Sequence, residues 1–403
     1  MTRPNPTRRA ALLAAGATAA LGLPGCASPV RGPAVPRGRT TAAQVLGLPN
    51  ERFMVTSPEG QRAIEAEFDA AGARLRSRLA LRPGQPMPRL NLLSVSGGGE
   101  NGAFGAGLLC GWSELGTRPE FNLVTGVSTG ALTAPFAFLG RDHDPQLRAV
   151  YTELTLADIA ASRGLLQAVF HESLADTAPL FRTISRYLDE PMLAAIARAY
   201  DGGRLLLIGT TNLDAQVPVI WNIGAIARSG HPGALDLVRR ILLASAAVPG
   251  VFAPVMVDVL VDGEARQEMH VDGGAFAQAF LYPSSVGRTR RERLARGAAA
   301  RDVEAYVIRN GRLDPEWALV ERRTLGISGR AISTMIAASG YNDVIRIYNA
   351  TQRDGVGFNL AFIGTDFDRE LPAPFDQDFM RALFQYGYER GRRGYDWAKR
   401  PPL

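Results

Sequence analysis

The sequence predicts an α/β fold built on a parallel sheet, and three observations carry that expectation. An apolar run at 90–95 leads into a glycine loop and then a helical stretch at 103–115. A second apolar run at 121–125 turns sharply at Gly126-Val127-Ser128-Thr129-Gly130 into helix-prone Ala131-Leu132-Thr133-Ala134. Further strand-like runs lie at 205–209, 217–221 and 303–308, with a helical segment at 235–248 before the last. A strand-loop-helix-strand-turn-helix order is satisfied by parallel strands joined through right-handed crossovers.

The chain has 403 residues and is 46% hydrophobic, enough for a sizeable core. At its N-terminus Arg3, Arg8 and Arg9 precede an apolar segment at 10–23, too short to span a bilayer as a mature helix. Leu23-Pro24-Gly25-Cys26 ends it, and a Pro/Gly/Arg-rich tether follows to about residue 40. The segment resembles a bacterial lipoprotein signal, in which the cysteine is acylated and becomes the mature N-terminus. Pro24 departs from the small or β-branched residue usual at that position. Thr7-Arg8-Arg9 also resembles a twin-arginine export signal. The expectation is an exported protein, anchored in a membrane through Cys26 and facing the periplasm or cell surface. With Cys26 lipidated, Cys110 has no partner and no disulfide framework exists. Cys110 sits in an apolar helical stretch and reads as a buried small hydrophobe.

Four parts follow in order: an export signal at 1–26, a tether and N-terminal helix at 27–88, a catalytic domain at 89–287, and a C-terminal extension at 288–403 packed on it. Residues 59–81 read as a charged, alanine-rich surface helix, stopped by Pro83-Gly84-Gln85-Pro86-Met87-Pro88. The stretch 146–200 reads as helical with interruptions at Gly164 and Pro179, and 235–248 as a helix ended by Pro249-Gly250. His270-Val271 closes a strand at Asp272-Gly273-Gly274. A mixed α/β tail has a helix near 331–350, a short strand near 358–363 and a terminal helix at 376–398.

The formal net charge is +6, and Lys399 is the only lysine. The cations are spread along the chain instead of gathered in a block, which argues against a nucleic-acid partner. The histidines and cysteines lack metal-ligand spacing, and no motif requires a metal or other cofactor.

Two chemistries compete for Ser96-Gly97-Gly98-Gly99-Glu100-Asn101-Gly102. Gly97-x-Gly99-x-x-Gly102 matches a dinucleotide fingerprint, and Glu120 lies at about the distance of a ribose-binding acid. No Gly-Lys-Ser/Thr follows, so a P-loop is excluded. Alternatively, consecutive glycine N–H groups at a helix N-terminus can converge on a developing oxyanion, each donor stabilising it by about 3–4 kcal/mol. The serine turn some 25 residues on favours the second use.

A serine between Gly126 and Gly130 at a strand-to-helix turn is a nucleophile elbow. Its hydroxyl needs a base. The four histidines are His143, His171, His231 and His270, and the first three fall in predicted loops or helices. His270 shares a strand face with Asp272, where it can be simply packed. Asp272, at a strand end before Gly273 and Gly274, is the better candidate: a carboxylate kept from bulk water is a stronger base than a solvated one.

Taken together and in order, the glycine loop, the Ser128 elbow and Asp272-Gly273-Gly274 resemble those of a patatin-like phospholipase. Ala244-Ser245-Ala246-Ala247-Val248-Pro249-Gly250 resembles that family's Ala/Ser-rich helix ending in Pro-Gly. The likeness covers about 90–287. It implies a three-layer α/β/α fold and a Ser-Asp dyad, with Ser128 the nucleophile, Asp272 the base and the Gly97–Gly99 segment, closed by Gly102, the oxyanion hole. The family often carries Arg or Lys before the last loop glycine, where this chain has Asn101. The expected activity is hydrolysis of a lipid or other acyl ester through an acyl-enzyme. The alternatives are a Ser-His-Asp esterase using His270 and a non-catalytic anchored protein that binds lipid or a partner.

Overall fold

In the computed structural model, which describes residues 31–82, 84–162 and 175–402, eleven strands are distributed over a nine-stranded sheet and a separate short hairpin. The strands are β1 (Arg52–Phe53), β2 (Leu90–Val95), β3 (Leu123–Val127), β4 (Ala161–Ser162), β5 (Ala175–Asp176), β6 (Leu205–Asn212), β7 (Val217–Asn222), β8 (Val255–Val261), β9 (Glu264–Asp272), β10 (Val303–Arg309) and β11 (Gly357–Phe362). The main order is β1-β7-β6-β3-β2-β10-β11, and β9, paired with β8, also joins β6. From β6 to β11 the pairing is parallel throughout, whereas β7, β1, β9 and β8 pair antiparallel. β4 and β5 form the separate hairpin. The central sheet is thus mainly parallel, as the sequence predicts. Strands β10 and β11, from the C-terminal part of the chain, complete one side of that same sheet.

Strands covered on both faces read as near-continuous apolar runs, and successive residues point to opposite layers. Leu92, Leu123, Leu207, Val307 and Leu360 meet one layer of helices, including α1 (Pro58–Arg78) through Ile64 and Ala71. Leu93, Val95, Val124, Ile208 and Ile308 meet the opposite layer. That layer contains α2 (Gly102–Leu115), α3 (Thr129–Leu139) and, after Leu205–Asn212, further helices. The arrangement is three-layered.

Between α3 and β6 run α4 (Asp144–Thr152), α5 (Leu156–Ile159), α6 (Ala178–Tyr187) and α7 (Glu190–Asp201). Gly164 and His171 lie outside the described residues. Beyond β7 come α8 (Ile223–Arg228), α9 (Ala234–Ser245), α10 (Ser284–Ala295), α11 (Thr324–Asp354) and α12 (Gln377–Arg392).

Local chemistry explains most boundaries. Ser57 caps α1 by accepting from the Gly60 N–H at 3.0 Å, and Pro58 occupies the first turn, where its missing N–H costs nothing. Strand β3 begins at Leu123, two residues later than the apolar run suggests, because Asn122 is committed to Asn91 through its backbone and its side-chain oxygen. The terminal helix stops six residues short of its expected end, and Gly394 beyond it has a φ of 87°. Helix α11 starts at Thr324 instead of near 331, carried through Gly326 and Gly329 despite their poor helix propensity. Strand β8 is absent from the sequence reading. It turns into β9 at Asp262-Gly263, both in the left-handed region as a type I′ hairpin requires.

Helices α2 and α12 pack backbone to backbone. A β-carbon at Gly107 would lie 2.0 Å from the Phe384 carbonyl oxygen, and one at Gly111 2.1 Å from that of Tyr388. Reciprocally, Gly387 faces the Phe104 oxygen at 2.3 Å and Gly391 that of Leu108 at 2.4 Å. No side chain fits at these four positions without separating the helices. A Gly111→Val variant should therefore lose on the order of 3 kcal/mol or more of stability by overpacking. Gly72, on α1 with no atom within 4 Å of its would-be β-carbon, should gain up to about 1 kcal/mol as Gly72→Ala. Urea denaturation of the two variants checks both, and a Gly111→Val protein as stable as wild type contradicts the close approach.

Candidate active site

Strand β3 delivers Ser128 at its C-terminal end, and α3 begins at the next residue. Ser128 sits at φ 55°, ψ −128°, a region a side-chain-bearing residue occupies only when the surroundings impose it, typically at a cost of about 1–3 kcal/mol. Two contacts impose it. The Ser128 N–H donates to Ser245 Oγ at 3.0 Å, and the Ser245 hydroxyl donates to the Gly209 carbonyl at 2.7 Å. The turn is tight enough that a β-carbon at Gly126 would lie 2.5 Å from the Gly130 oxygen, and one at Gly130 2.2 Å from that of Val95. Ser128 itself is 7% exposed.

The partner of the serine is set by register. Strand β3 pairs with β6 up to Val127 opposite Gly209, where it leaves the sheet for the elbow. At the next position β9 takes over, with Asp272 opposite Thr210. A β-carbon at Gly273 would stand 2.5 Å from the Gly209 oxygen, so this glycine permits the approach. Asp272 Oδ1 accepts the Gly274 N–H at 2.6 Å. Oδ2 is buried with no well-aligned donor, yet the Ser128 hydroxyl is near enough to favour the ionised form. Burial outweighs both hydrogen-bonding effects and pushes the Asp272 carboxyl up to about 7.

The glycine loop lies alongside. The Gly97 N–H donates to the Gln278 carbonyl at 2.9 Å, and the Gly102 N–H is taken up within its own turn by the carbonyls of Gly99 and Glu100. The amides of Gly98 (φ 154°) and Gly99 (φ 57°) have no acceptor among the described residues. Of the four loop glycines named from the sequence, these two alone retain uncommitted donors.

Residues that sequence reasoning did not single out brace the loop. Asn310, just past β10, donates through Nδ2 to the Ser96 carbonyl at 2.9 Å and through its backbone N–H to the Ser96 hydroxyl at 2.9 Å. Arg309, also buried, directs Nη1 to the Gly97 carbonyl at 3.3 Å. Asn101 brings no charge to the loop, but Arg309 supplies a guanidinium from a different strand. Asp343 on α11 accepts the N–H groups of Gln278 (2.6 Å) and Ala279 (3.1 Å), holding the segment that receives Gly97. The signal available in the sequence was position alone: Arg309 and Asn310 sit at the C-terminal end of a parallel strand, where sites in α/β sheets collect.

From Ser128 a cleft of about 900 Å³, its open mouth included, runs between α3, α6 and α9. Leu132, Phe136, Leu180, Ile184, Met192 and Phe252 are among its apolar walls. Glu100 is at the loop end, its carboxyl raised by burial. Thr129 and Tyr151 hydrogen-bond each other at 2.7 Å, so their polar atoms are satisfied within the wall.

His270 is fully buried, and both its ring nitrogens are engaged by groups other than Ser128 and Asp272. Its Nε2 pairs with Glu268 at 3.1 Å, and Nδ1 with the Thr210 hydroxyl at 2.9 Å. Arg52 binds Glu268 at 2.5 Å and so ties β1 to the same buried group. Burial lowers the His270 pKa, against the pull of Glu268. Cys110 is a buried free thiol whose pKa burial pushes up to about 12. Cys26 lies outside the described residues, and among the described residues no group of three or more His, Cys, Asp or Glu could hold a metal ion.

A family model described as patatin-like phospholipase matches residues 93–281, so that stretch of the chain is similar to this family. The match indicates a lipid acyl hydrolase. No curated protein matches the chain. Among solved structures, a crystal structure of VipD from Legionella pneumophila is similar at 13% identity with a TM-score of 0.37; the alignment covers 77% of this chain and 66% of that one.

The environment of Asp272 has a consequence for stability. Its folded pKa of about 7 lies above the ordinary 3.8, so the folded state holds the proton more tightly than the unfolded state. The carboxyl's contribution is therefore most favourable at low pH and declines as pH rises from about 4 to about 7. An Asp272→Asn variant escapes that decline and should exceed wild type in stability at about pH 8, by at most about 4 kcal/mol, with little difference at about pH 4. Urea denaturation at the two pH values checks this; a wild type that is the more stable at the higher pH contradicts it.

Proposed function

We propose that this protein is a carboxylic-ester hydrolase acting on lipid acyl esters, with Ser128 as nucleophile and Asp272 as its base. The observation that carries the reading is the change of partner along β6. Val127 faces Gly209 and Asp272 faces Thr210, so the serine hydroxyl and the carboxylate meet at one point of the sheet. Support also comes from the strained elbow and from the apolar cleft that begins at Ser128.

In this mechanism Asp272 accepts the Ser128 hydroxyl proton as Oγ bonds to the ester carbonyl carbon. The carbonyl oxygen becomes an oxyanion, which the free amides of Gly98 and Gly99 are available to hold. Collapse breaks the bond to the alcohol oxygen, and the alcohol leaves with the proton from Asp272. Water then gives a proton to Asp272 and adds to the acyl carbon. The carboxylic acid departs, and Ser128 regains its proton. The cleft suits the acyl chain, since its walls return to that chain the apolar surroundings it loses on leaving lipid.

Burial of Asp272 has a purpose here: a carboxylate of ordinary pKa is a feeble base for an alcohol, and one near 7 is matched to neutral pH. Export and anchoring through Cys26 complete the reading and rest on the sequence of residues 3–26.

Three outcomes test these assignments. Ser128→Ala and Asp272→Asn should each cut hydrolysis of a short p-nitrophenyl ester by on the order of 10⁴-fold, and Ser128→Ala should lose labelling by a fluorophosphonate probe; a folded variant with full activity refutes its assigned role. In wild type, kcat/KM should rise about tenfold per pH unit below about 7, as Asp272 ionises, and level off above. For the anchor, cells fed labelled palmitate should incorporate it into wild type and not into Cys26→Ala.

A further inference from the structure

The excursion between β10 and the packed half of α11 is the most apolar exposed surface among the described residues. Trp317 is 88% exposed, Leu319 87% and Met335 70%, and Ile327 and Ile332 are also more than half exposed. Residues 331–338 all fall in the exposed class, so this part of α11 lies largely uncovered. Helical spacing puts Ile327, Ala331, Met335 and Ala338 on one stripe, with Ile332 and Ile336 beside it. A free apolar surface of this kind costs solubility unless something covers it.

Charge and position say what covers it. Between Trp317 and Ala338 the only acidic residue is Glu321, paired with Arg323 at 3.8 Å, while Arg322, Arg323 and Arg330 leave the surface with an excess of positive charge around the apolar stripe. Trp317 adds the amphipathic ring favoured at the boundary between water and hydrocarbon. Among the described residues no helix is long and apolar enough to cross a membrane, so an apolar stripe edged by arginines suits lying in the interface, not spanning it.

Both ends of the excursion are fastened to the glycine loop. It leaves at Asn310, whose carbonyl oxygen would lie 2.1 Å from a β-carbon on Gly98, and it returns at Gly340 against the Arg309 guanidinium. Strands β2, β3 and β10 are parallel, so their C-terminal ends present the loop, the Ser128 elbow and this excursion on one side of the sheet.

We propose that residues 317–338 form a docking surface for an anionic phospholipid bilayer, inserting Trp317, Leu319, Ile332 and Met335 below the headgroups with Arg322, Arg323 and Arg330 among them. Docking there holds the cleft mouth toward the lipid; that last link rests on the hydrolase reading above, whereas the docking itself does not.

The test uses the full chain in a Cys26→Ser background, so that no acyl anchor contributes. Sedimentation is measured with vesicles of phosphatidylcholine alone and of phosphatidylcholine with one-third phosphatidylglycerol. The protein should favour the anionic vesicles. Trp317→Ser/Leu319→Ser/Met335→Ser should lose at least about tenfold in partitioning. Arg322→Gln/Arg323→Gln/Arg330→Gln should lose the anionic preference, about fivefold per charge at low salt. Both variants should melt as wild type does and cleave a soluble short ester at its rate. Equal binding of wild type to the two vesicles, or undiminished binding by the apolar variant, overturns the proposal. So does a dimer that becomes monomeric in the apolar variant while vesicle binding stays intact, since the surface then belongs to a second copy. A wild type that binds vesicles through this surface but cleaves no ester supports the docking surface and refutes the hydrolase reading instead.

Discussion

Strand β6 changes partner between Gly209 and Thr210, and the candidate site depends on that exchange. Up to Gly209 the strand is bonded to parallel β3; from Thr210 it is bonded to antiparallel β9. Each neighbour ends where the other begins, so the last residues of two strands distant in sequence are forced together. Ser245 fastens the junction from the helical layer, receiving the Ser128 N–H and giving its own proton to Gly209. Without this join, the serine turn and the aspartate turn would be unrelated loops.

Both groups at the junction are held in states they would not choose. Ser128 has an unfavourable backbone conformation, and Asp272 is a carboxyl in a setting that penalises its charge. Each is tolerated because rigid neighbours leave no alternative: Val95 and Gly130 in close backbone contact, Gly273 against Gly209, and an apolar wall around them. The glycine loop needs bracing of another kind, because glycines hold no shape by themselves. Arg309, Asn310 and Asp343 provide it from the C-terminal part of the chain. Stability is thereby concentrated around the site and weakened within it.

The sequence made the parallel sheet and its strand-to-helix turns legible because glycine and apolar runs mark them directly. Leu90–Val95 needs no tertiary information: it is a short apolar run before three glycines. Strand β8 was missed although its signal was present, since Val255, Val257, Val259 and Val261 alternate before Asp262-Gly263. The braces were not legible. Ser245, Gln278, Arg309, Asn310 and Asp343 are ordinary polar residues on four separate segments, and only the fold makes neighbours of them. The first two turns of α11, before residue 331, were hidden for the opposite reason, as Gly326 and Gly329 argue locally against a helix.

The glycine-to-glycine contact of α2 with α12 bears on when the protein matures. Helix α2 grows directly out of the glycine loop, but the surface it packs against is supplied by a segment more than 250 residues further along the chain, since α2 ends at Leu115 and α12 begins at Gln377. A nascent chain emerging from the ribosome carries the serine turn and the aspartate turn long before Gly387 and Gly391 exist to seat that helix. Contacts between such distant parts of a chain form late, after the loop-closure entropy has been met. The loop's donors are thus set in place only once α12 has docked, and a chain cut before α12 would carry both reacting groups without the frame that aligns them.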